Sequence, residues 1–323
     1  MISPNLLAVL ACPACQGEVI LDASADGFLR CEVCQRRYSI VEGIPLMVVE
    51  DVLADGDYKT MAMTVREYYD TTADSYDDWH VSNQIDRLVD EVNWEEFRSF
   101  VGARKTNRCL DLACGTGRNL DRLRASSQSV VGVDISMQLL LMARKKKGVQ
   151  ADFVCGEVTH LPLCTRSFDL VVIDGSLHHF FAAKEAIEEA ARVLQPGGIL
   201  ALLGEPNARW KDWRNPFFTL TVWSQTPRIF RNRVWPRLRS VVGGGGSILT
   251  EGPEEDIDPR QLGEICRSAG IEVVRLGTYD YLPRSGHWWH LVAYRWLRRI
   301  ERQALSKWFP FAGQAVVCYG VKR

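Results

Sequence analysis

The sequence predicts an α/β chain: a mostly parallel sheet covered on both faces, a small metal ribbon in front of it, and a helical insertion in the C-terminal half. Three observations carry this. From about residue 107 to 205, β-branched and aliphatic runs alternate with amphipathic segments, and strands apolar on both faces need helices on both sides. Residues 12–34 hold two Cys-x2-Cys pairs separated by fifteen residues, a zinc-ribbon spacing. Residues 206–256 then break the strand–helix rhythm. With 323 residues, 46% of them hydrophobic, the chain can bury a large core. The expected division is a ribbon over 1–50 and the α/β unit over 60–323, with the insertion at 206–256 and a further helical segment at 282–310.

Charge and cysteine usage narrow the class. The net charge is −1 and the pI is about 6.6, so the whole chain is no general polyanion binder, although a local basic region stays open. The start lacks the apolar core of a signal peptide, and no apolar run is long enough to span a bilayer. Ten cysteines in such a chain point to a reducing cytoplasm and metal use rather than to disulfides. The expected location is therefore cytoplasmic.

Cys12, Cys15, Cys31 and Cys34 are the expected metal ligands. Each Cys-x2-Cys turn offers two thiolates, and two turns close a tetrahedral cage around structural Zn2+ with no open position for chemistry. "EVILD" and "GFLRC" read as a hairpin around Ala25-Asp26-Gly27. So small a unit has little core, and the metal supplies much of its folding energy. The knuckles "CPAC" and "CEVC", with the tail Tyr38 to Met47, resemble the small zinc-ribbon protein that partners several tRNA, rRNA and release-factor methyltransferases. That resemblance points towards methyl transfer.

In the α/β unit, "NRCLDLA", "SVVGVDIS", "ADFVCGE", "FDLVVIDGS" and "GGILALLGE" read as five successive strands. Ligands in such sheets bind at the strands' carboxyl ends, at the topological switch point. The loop after the first strand runs from Asp111 to Gly117. Gly115 and Gly117 allow a tight turn and close approach of a ligand. Asp134 ends the second strand, where a carboxylate can accept both ribose hydroxyls of an adenosine ligand. The loop has neither the full G-x-G-x-x-G spacing nor a P-loop lysine. Asp111 at the strand end suits a cationic ligand, such as a sulfonium bearing an amino group.

The ordered pieces "LDLACGTG", "VGVDIS", "GEVTHLPL", "FDLVVIDGSLHH" and "RVLQPGGILALL" resemble the class I S-adenosylmethionine-dependent methyltransferases of the type 11 family. The resemblance implies a Rossmann-like fold with a mostly parallel seven-stranded sheet and S-adenosylmethionine as cofactor. It implies that Asp111, Gly115 and Gly117 lie along the methionine part, with Ala113 standing where many members have glycine. It implies Asp134 and Ile135 at ribose and adenine, Glu157 and Val158 at the adenine ring, and Asp174 and Gly175 beside the sulfonium. Glu157 stands where aspartate is commoner. Upstream, "VREYYDTTADSYDDW" reads as an aromatic helix; the family closes such a segment over the cofactor, which makes Tyr69 and Tyr76 lid candidates. Their spacing of seven equally fits a core stripe.

The adjacent imidazoles His178 and His179 follow the fourth strand, and Glu205 ends the fifth. Methyl transfer needs alignment of the acceptor and, for a neutral acceptor, loss of a proton. Histidine titrates near neutrality, and a carboxylate can orient it. Related sugar O-methyltransferases with an "LHH" segment use the histidines and the acid in this way. The expectation is that one histidine is the base, with preference for His179, and that the other makes a structural contact.

Between Arg209 and Arg239, eight Lys or Arg residues face one acid, with seven Trp or Phe among them. That composition suits an anionic small molecule or lipid-linked substrate, an acidic membrane surface, or RNA; it equally suits a lid with a solvated charged face. Further on, Tyr294, Leu297, Ile300, Ala304 and Trp308 read as a helical stripe. The expected activity is methyl transfer to a small-molecule hydroxyl on a sugar, natural product or lipid-linked glycan. The alternative is an rRNA or tRNA base methyltransferase with a zinc-binding recognition domain, against which stands a ribbon that is not strongly basic. A non-catalytic cofactor binder would predict a broken cofactor motif, and the motif is intact.

Overall fold

The computed structural model describes residues 2–24, 26–53, 56–77, 84–102, 106–146, 150–210, 215–217, 256–281 and 288–323. Four short strands come first: β1 Val19–Leu21, β2 Phe28–Cys31, β3 Arg37–Val41 and β4 Ile44–Pro45. They pair antiparallel in chain order. Val19 pairs with Cys31 and Leu21 with Leu29, in the register of the hairpin expected from the sequence.

Seven strands build the second sheet: β5 Thr106–Leu112, β6 Ser127–Asp134, β7 Asp152–Cys155, β8 Phe168–Asp174, β9 Leu194–Pro206, β10 Ile271–Tyr279 and β11 Ala315–Lys322. Their order is β10-β11-β9-β8-β5-β6-β7. The pairs among β5 to β9 are parallel, and only β11 runs antiparallel to its neighbours. After β5 the chain builds outward through β6 and β7; from β8 it builds the other way through β9. The switch point lies between β5 and β8, where a crevice opens at the carboxyl ends. Leu110, Val131, Val171, Leu200 and Leu202 on these strands are completely or almost completely buried, as two-sided cover demands.

The ribbon is bound to the edge of this sheet. Leu46 bridges Cys155 in parallel and Leu10 bridges Leu163 antiparallel. Met47 N–H donates to the Cys155 carbonyl at 2.8 Å, and Ala11 N–H to that of Pro162 at 3.1 Å. Leu6, Val9 and Leu10 share one apolar cluster with Val154, Leu161 and Leu163. The ribbon thereby covers the open edge of β7, which would otherwise present unpaired backbone groups.

Among the helices, α1 spans Pro4–Leu7, α2 Asp57–Thr72, α3 Gln84–Val101, α4 Leu120–Arg124, α5 Met137–Lys145, α6 Ala183–Val193, α7 Pro259–Ser268 and α8 Trp288–Ile300. Three N-terminal ends are capped by side chains as their sequences require: Ser3 accepts from Leu6 N–H at 3.0 Å, Ser136 from Leu139 N–H at 3.2 Å, and Asp258 from Arg260 N–H at 2.8 Å. Most of the 206–256 insertion, including the tetraglycine at 243–246, lies outside the described residues.

The stripe of Tyr294, Leu297, Ile300, Ala304 and Trp308 starts on a helix, α8, and is split between interior and solvent. Tyr294 is buried, but Ile300, Ala304 and Trp308 are exposed. α8 continues through a π-helical turn, Glu301–Leu305, and turns Tyr294, Arg298 and Glu301 to the interior. The reason is electrostatic. Buried Asp280 accepts from the Tyr294 hydroxyl at 2.7 Å, and buried Glu96 lies 3.5 Å from the Arg298 guanidinium. Those acids need donors more than the interior needs the apolar stripe. Arg298 also pairs with Glu301 at 3.0 Å and lies 4.3 Å over the Tyr279 ring.

Candidate active site

Two cavities meet at the carboxyl ends of β5, β6, β8 and β9. The first is walled by Ala113, Asp134, Ile135, Leu139, Glu157, Val158, Gly175, Ser176, His179, Phe180 and Phe181, with Tyr58, Ala62, Val65, Tyr69 and Tyr76 across its mouth. The second is walled by Asn93 and Trp94 of α3, Thr116, Arg118, Asn119, Asp174, Leu203 and Tyr279, among others. Tyr76, Ala113, Gly175 and Ser176 belong to both.

The loop after β5 is shaped by its backbone. Ala113 sits at φ 57° and Gly115 at φ 53°, both left-handed. A Cβ on Gly115 would come within 2.9 Å of the Tyr76 hydroxyl, so the tyrosine packs directly over this glycine. The Asp134 carboxylate ties the loop to β6: one oxygen accepts from Gly115 N–H at 2.8 Å, the other from Ser136 N–H at 2.9 Å. Burial pushes its pKa up to about 6, with these two donors opposing. Each oxygen keeps a lone pair for a hydroxyl donor.

Asp111 lies deeper than its place at a strand end suggests. It is 2% exposed and lines neither cavity. One of its oxygens finds no partner among the described residues. Burial, then the charge of Asp174, raises it to about 8. An orphaned carboxylate beneath the loop is what a ligand ammonium would satisfy.

Glu157 is held ionised. Burial opposes its charge, but the His160 imidazole 3.8 Å away and hydrogen bonds from Thr159 and Tyr58 hold it below the usual carboxylate range. Thr159 N–H donates at 2.9 Å, and the Tyr58 hydroxyl donates to the other oxygen. Asp174 accepts from Arg118 at 2.9 Å and from Asn119 at 3.0 Å and faces the second cavity alone.

The segment 57–77 closes over the first cavity and is tied at three points. Tyr58 reaches Glu157. Asp70 accepts from the Ser136 hydroxyl at 2.6 Å and from Gln138 N–H at 3.1 Å. Asp77 accepts from Thr116 at 2.5 Å and from Lys146 at 3.1 Å. Tyr58, Ala62, Val65 and Tyr69 recur at intervals of four, three and four, one face of a helix. That period is legible in the sequence, although Tyr58, Ala62 and Val65 are not among the residues expected there. Leu139, Phe180 and Phe181 had no comparable signal; tertiary contact alone brings them in.

The histidines divide the work. After Asp174 the chain makes a short 3-10 turn, Leu177–His179. Glu205 is fully buried beneath it. One oxygen accepts from Ser176 and Leu177 N–H, both at 3.0 Å; the other accepts from His178 N–H at 3.1 Å and lies 2.9 Å from His178 Nδ1. The carboxylate therefore grips His178, not His179. His179 turns to the first cavity, its ring 3.9 Å from that of His178 and 6.1 Å from that of Tyr69.

In the ribbon, one ligand atom from each of Cys12, Cys15, Cys31 and Cys34 lies within 4.8 Å of the others. Cys12 and Cys34 sulfurs are 3.6 Å apart, and Cys15 and Cys31 sulfurs 3.5 Å. A tetrahedral Zn2+ with Zn–S bonds of about 2.3 Å sets sulfurs about 3.8 Å apart, so the donor set fits that ion.

The sheet order, its antiparallel β11 and a double cavity at the switch point define a class I methyltransferase architecture. Residues 110–202 match the model for the methyltransferase domain, and residues 3–43 match that for the Trm112p-like protein. The demethylmenaquinone methyltransferase of Deinococcus radiodurans is 28% identical over 70% of this chain and 92% of its own length. The ubiquinone/menaquinone biosynthesis C-methyltransferase of Pseudomonas paraeruginosa is 37% identical over 44% of this chain and 58% of its own length, so that match spans just over half of the relative. The solved magnesium protoporphyrin IX methyltransferase of Synechocystis is similar over 81% of this chain, at 16% identity and a TM-score of 0.48. The chain is a class I S-adenosylmethionine-dependent methyltransferase with a Trm112p-like N-terminal domain.

Proposed function

We propose that this methyltransferase acts on a small, largely apolar acceptor bearing an ionisable hydroxyl, and that His179 takes the proton. The observation that carries this reading is the division of the histidines: Glu205 clamps His178, and the turn so held presents His179 to the cavity. Removing a hydroxyl proton raises electron density on that oxygen and, in an aromatic ring, on the neighbouring carbons. The same base thus serves methylation at oxygen or at carbon. The similar proteins named as quinone-biosynthesis methyltransferases favour a hydroxylated quinol ring and its carbon.

For the cofactor, we infer that Leu139 and Val158 flank the adenine while Glu157 accepts from its amino group. Asp134 receives the ribose hydroxyls, and Asp111 with the loop to Gly117 receives the methionine end. Gly175, beside Asp174, flanks the junction of the two cavities, and Tyr69 and Tyr76 cover it. S-adenosylmethionine supplies an electrophilic methyl, and the chain aligns an acceptor against it and excludes water. Cys12, Cys15, Cys31 and Cys34 hold a structural zinc.

The test is transfer of labelled methyl from S-adenosylmethionine to a hydroxylated naphthoquinol, a simple sugar and rRNA, with products identified by mass spectrometry. A methylated quinol, lost in His179→Ala while S-adenosylhomocysteine still binds, is the expected result. Methylated base recovered from rRNA, or full activity in His179→Ala, overturns it.

A further inference from the structure

We infer that the outer face of α8 and the turns after it is a docking surface for an anionic lipid bilayer. This helix has its polarity reversed. Arg298 and Glu301 point inward and are buried, whereas Trp296 is 63% exposed, Ile300 36%, Trp308 80% and Phe309 42%. Positions 296, 300, 304 and 308 recur every four residues, which sets them along one side of a helix. The buried ion pairs with Glu96 and Glu301 fix that orientation, since turning the helix over would strand those charges in the interior.

The charge around the strip selects the occupant. Of the five Lys or Arg residues from Trp288 to Phe309, Arg298 is buried with Glu301 and Arg295 is paired with Glu91 and Glu95. Arg299 and Lys307 are exposed and have no acidic partner among the described residues. A symmetric dimer through this face would set the same cations against each other. Acidic headgroups complement them instead, tryptophan rings settle at the headgroup level, and arginine and lysine stems reach outward past the apolar strip. No helix among the described residues is long and apolar enough to cross a membrane, so the contact lies in the plane of the surface.

The placement suits a lipid-soluble acceptor, although the surface argument does not depend on the acceptor's identity. α8 packs on α3 through Arg295 to Glu95 at 2.5 Å and Arg298 to Asn93 at 3.0 Å. Asn93 and Trp94 of α3 wall the second cavity. The strip therefore lies one helix away from that chamber.

The experiment is co-sedimentation of the full chain with vesicles of phosphatidylcholine alone and of phosphatidylcholine mixed with phosphatidylglycerol, at low and high salt. Binding to the anionic vesicles, weakened by salt, is expected. The pair Trp296→Ser/Trp308→Ser and the pair Arg299→Glu/Lys307→Glu should each lower the partition coefficient about tenfold or more, with melting temperatures unchanged because all four side chains are exposed. Absence of binding to anionic vesicles overturns the inference, as does undiminished binding by the tryptophan pair. A dimer that the tryptophan pair dissociates overturns it too, by assigning the face to a second copy.

Discussion

Ala113 holds a left-handed backbone with an ordinary side chain, at φ 57°. That conformation costs a residue with a Cβ roughly 1–2 kcal/mol. Ala113→Gly is therefore expected to raise stability by about 1 kcal/mol, read as a higher urea midpoint at unchanged slope; a lower midpoint would show that the methyl packs usefully. Asp111 gives a pH dependence. Its pKa of about 8 in the folded chain lies far above the value of about 3.9 in an unfolded one. Between those values the native state binds the extra proton, so stability falls as pH rises through the window. Asp134, at about 6, adds a decline of the same sign over a narrower range. In the cofactor-free protein, Asp111→Asn should flatten the fall between about pH 5 and 8 in denaturant titrations. An unchanged slope would mean that Asp111 does not carry it.

The 3-10 turn Leu177–His179 and helix α2 carry the site at the scale of elements. Glu205 accepts three backbone N–H bonds of the turn and faces His178 Nδ1. Glu205→Gln would turn an amide N–H2 towards N–H donors. A loss of about 2–3 kcal/mol of stability is expected, together with a fall in kcat larger than any weakening of S-adenosylhomocysteine binding in calorimetry. A pure loss of cofactor affinity would show instead that the turn serves the cofactor and not the acceptor. Tyr58 joins the lid to Glu157. Tyr58→Phe keeps the ring and removes the tie, so cofactor affinity should weaken roughly tenfold or more, in line with about 1.5–3 kcal/mol for a hydrogen bond to a charged group. Unaltered affinity would confine Tyr58 to packing.

At the scale of the whole molecule, ribbon and sheet share an apolar cluster and a bridge from Leu46 to Cys155. Two residues beyond Cys155 stands Glu157, in the wall of the first cavity. Removal of zinc by a strong chelator should therefore lower the melting temperature of the entire chain in a single transition and weaken cofactor binding with it. Two separate transitions in calorimetry, with the methyltransferase part unchanged, would show that the ribbon folds by itself.

The chain's local chemistry determined a good deal. Cysteine spacing marks the ribbon because two knuckles can close one tetrahedron. The strand–helix rhythm and the loop from Asp111 to Gly117 mark the sheet and its crevice, because backbone period and left-handed turns are local properties. Tertiary structure decided the rest. It buried Asp111 and left one oxygen unpaired, a matter of depth that no local pattern records. It gave Glu205 to His178 and the cavity to His179, because the acid that takes one of two touching rings comes from a strand distant in sequence. It also turned the apolar side of α8 outward, because Glu96 and Asp280, distant in sequence, required the inward face to carry their donors.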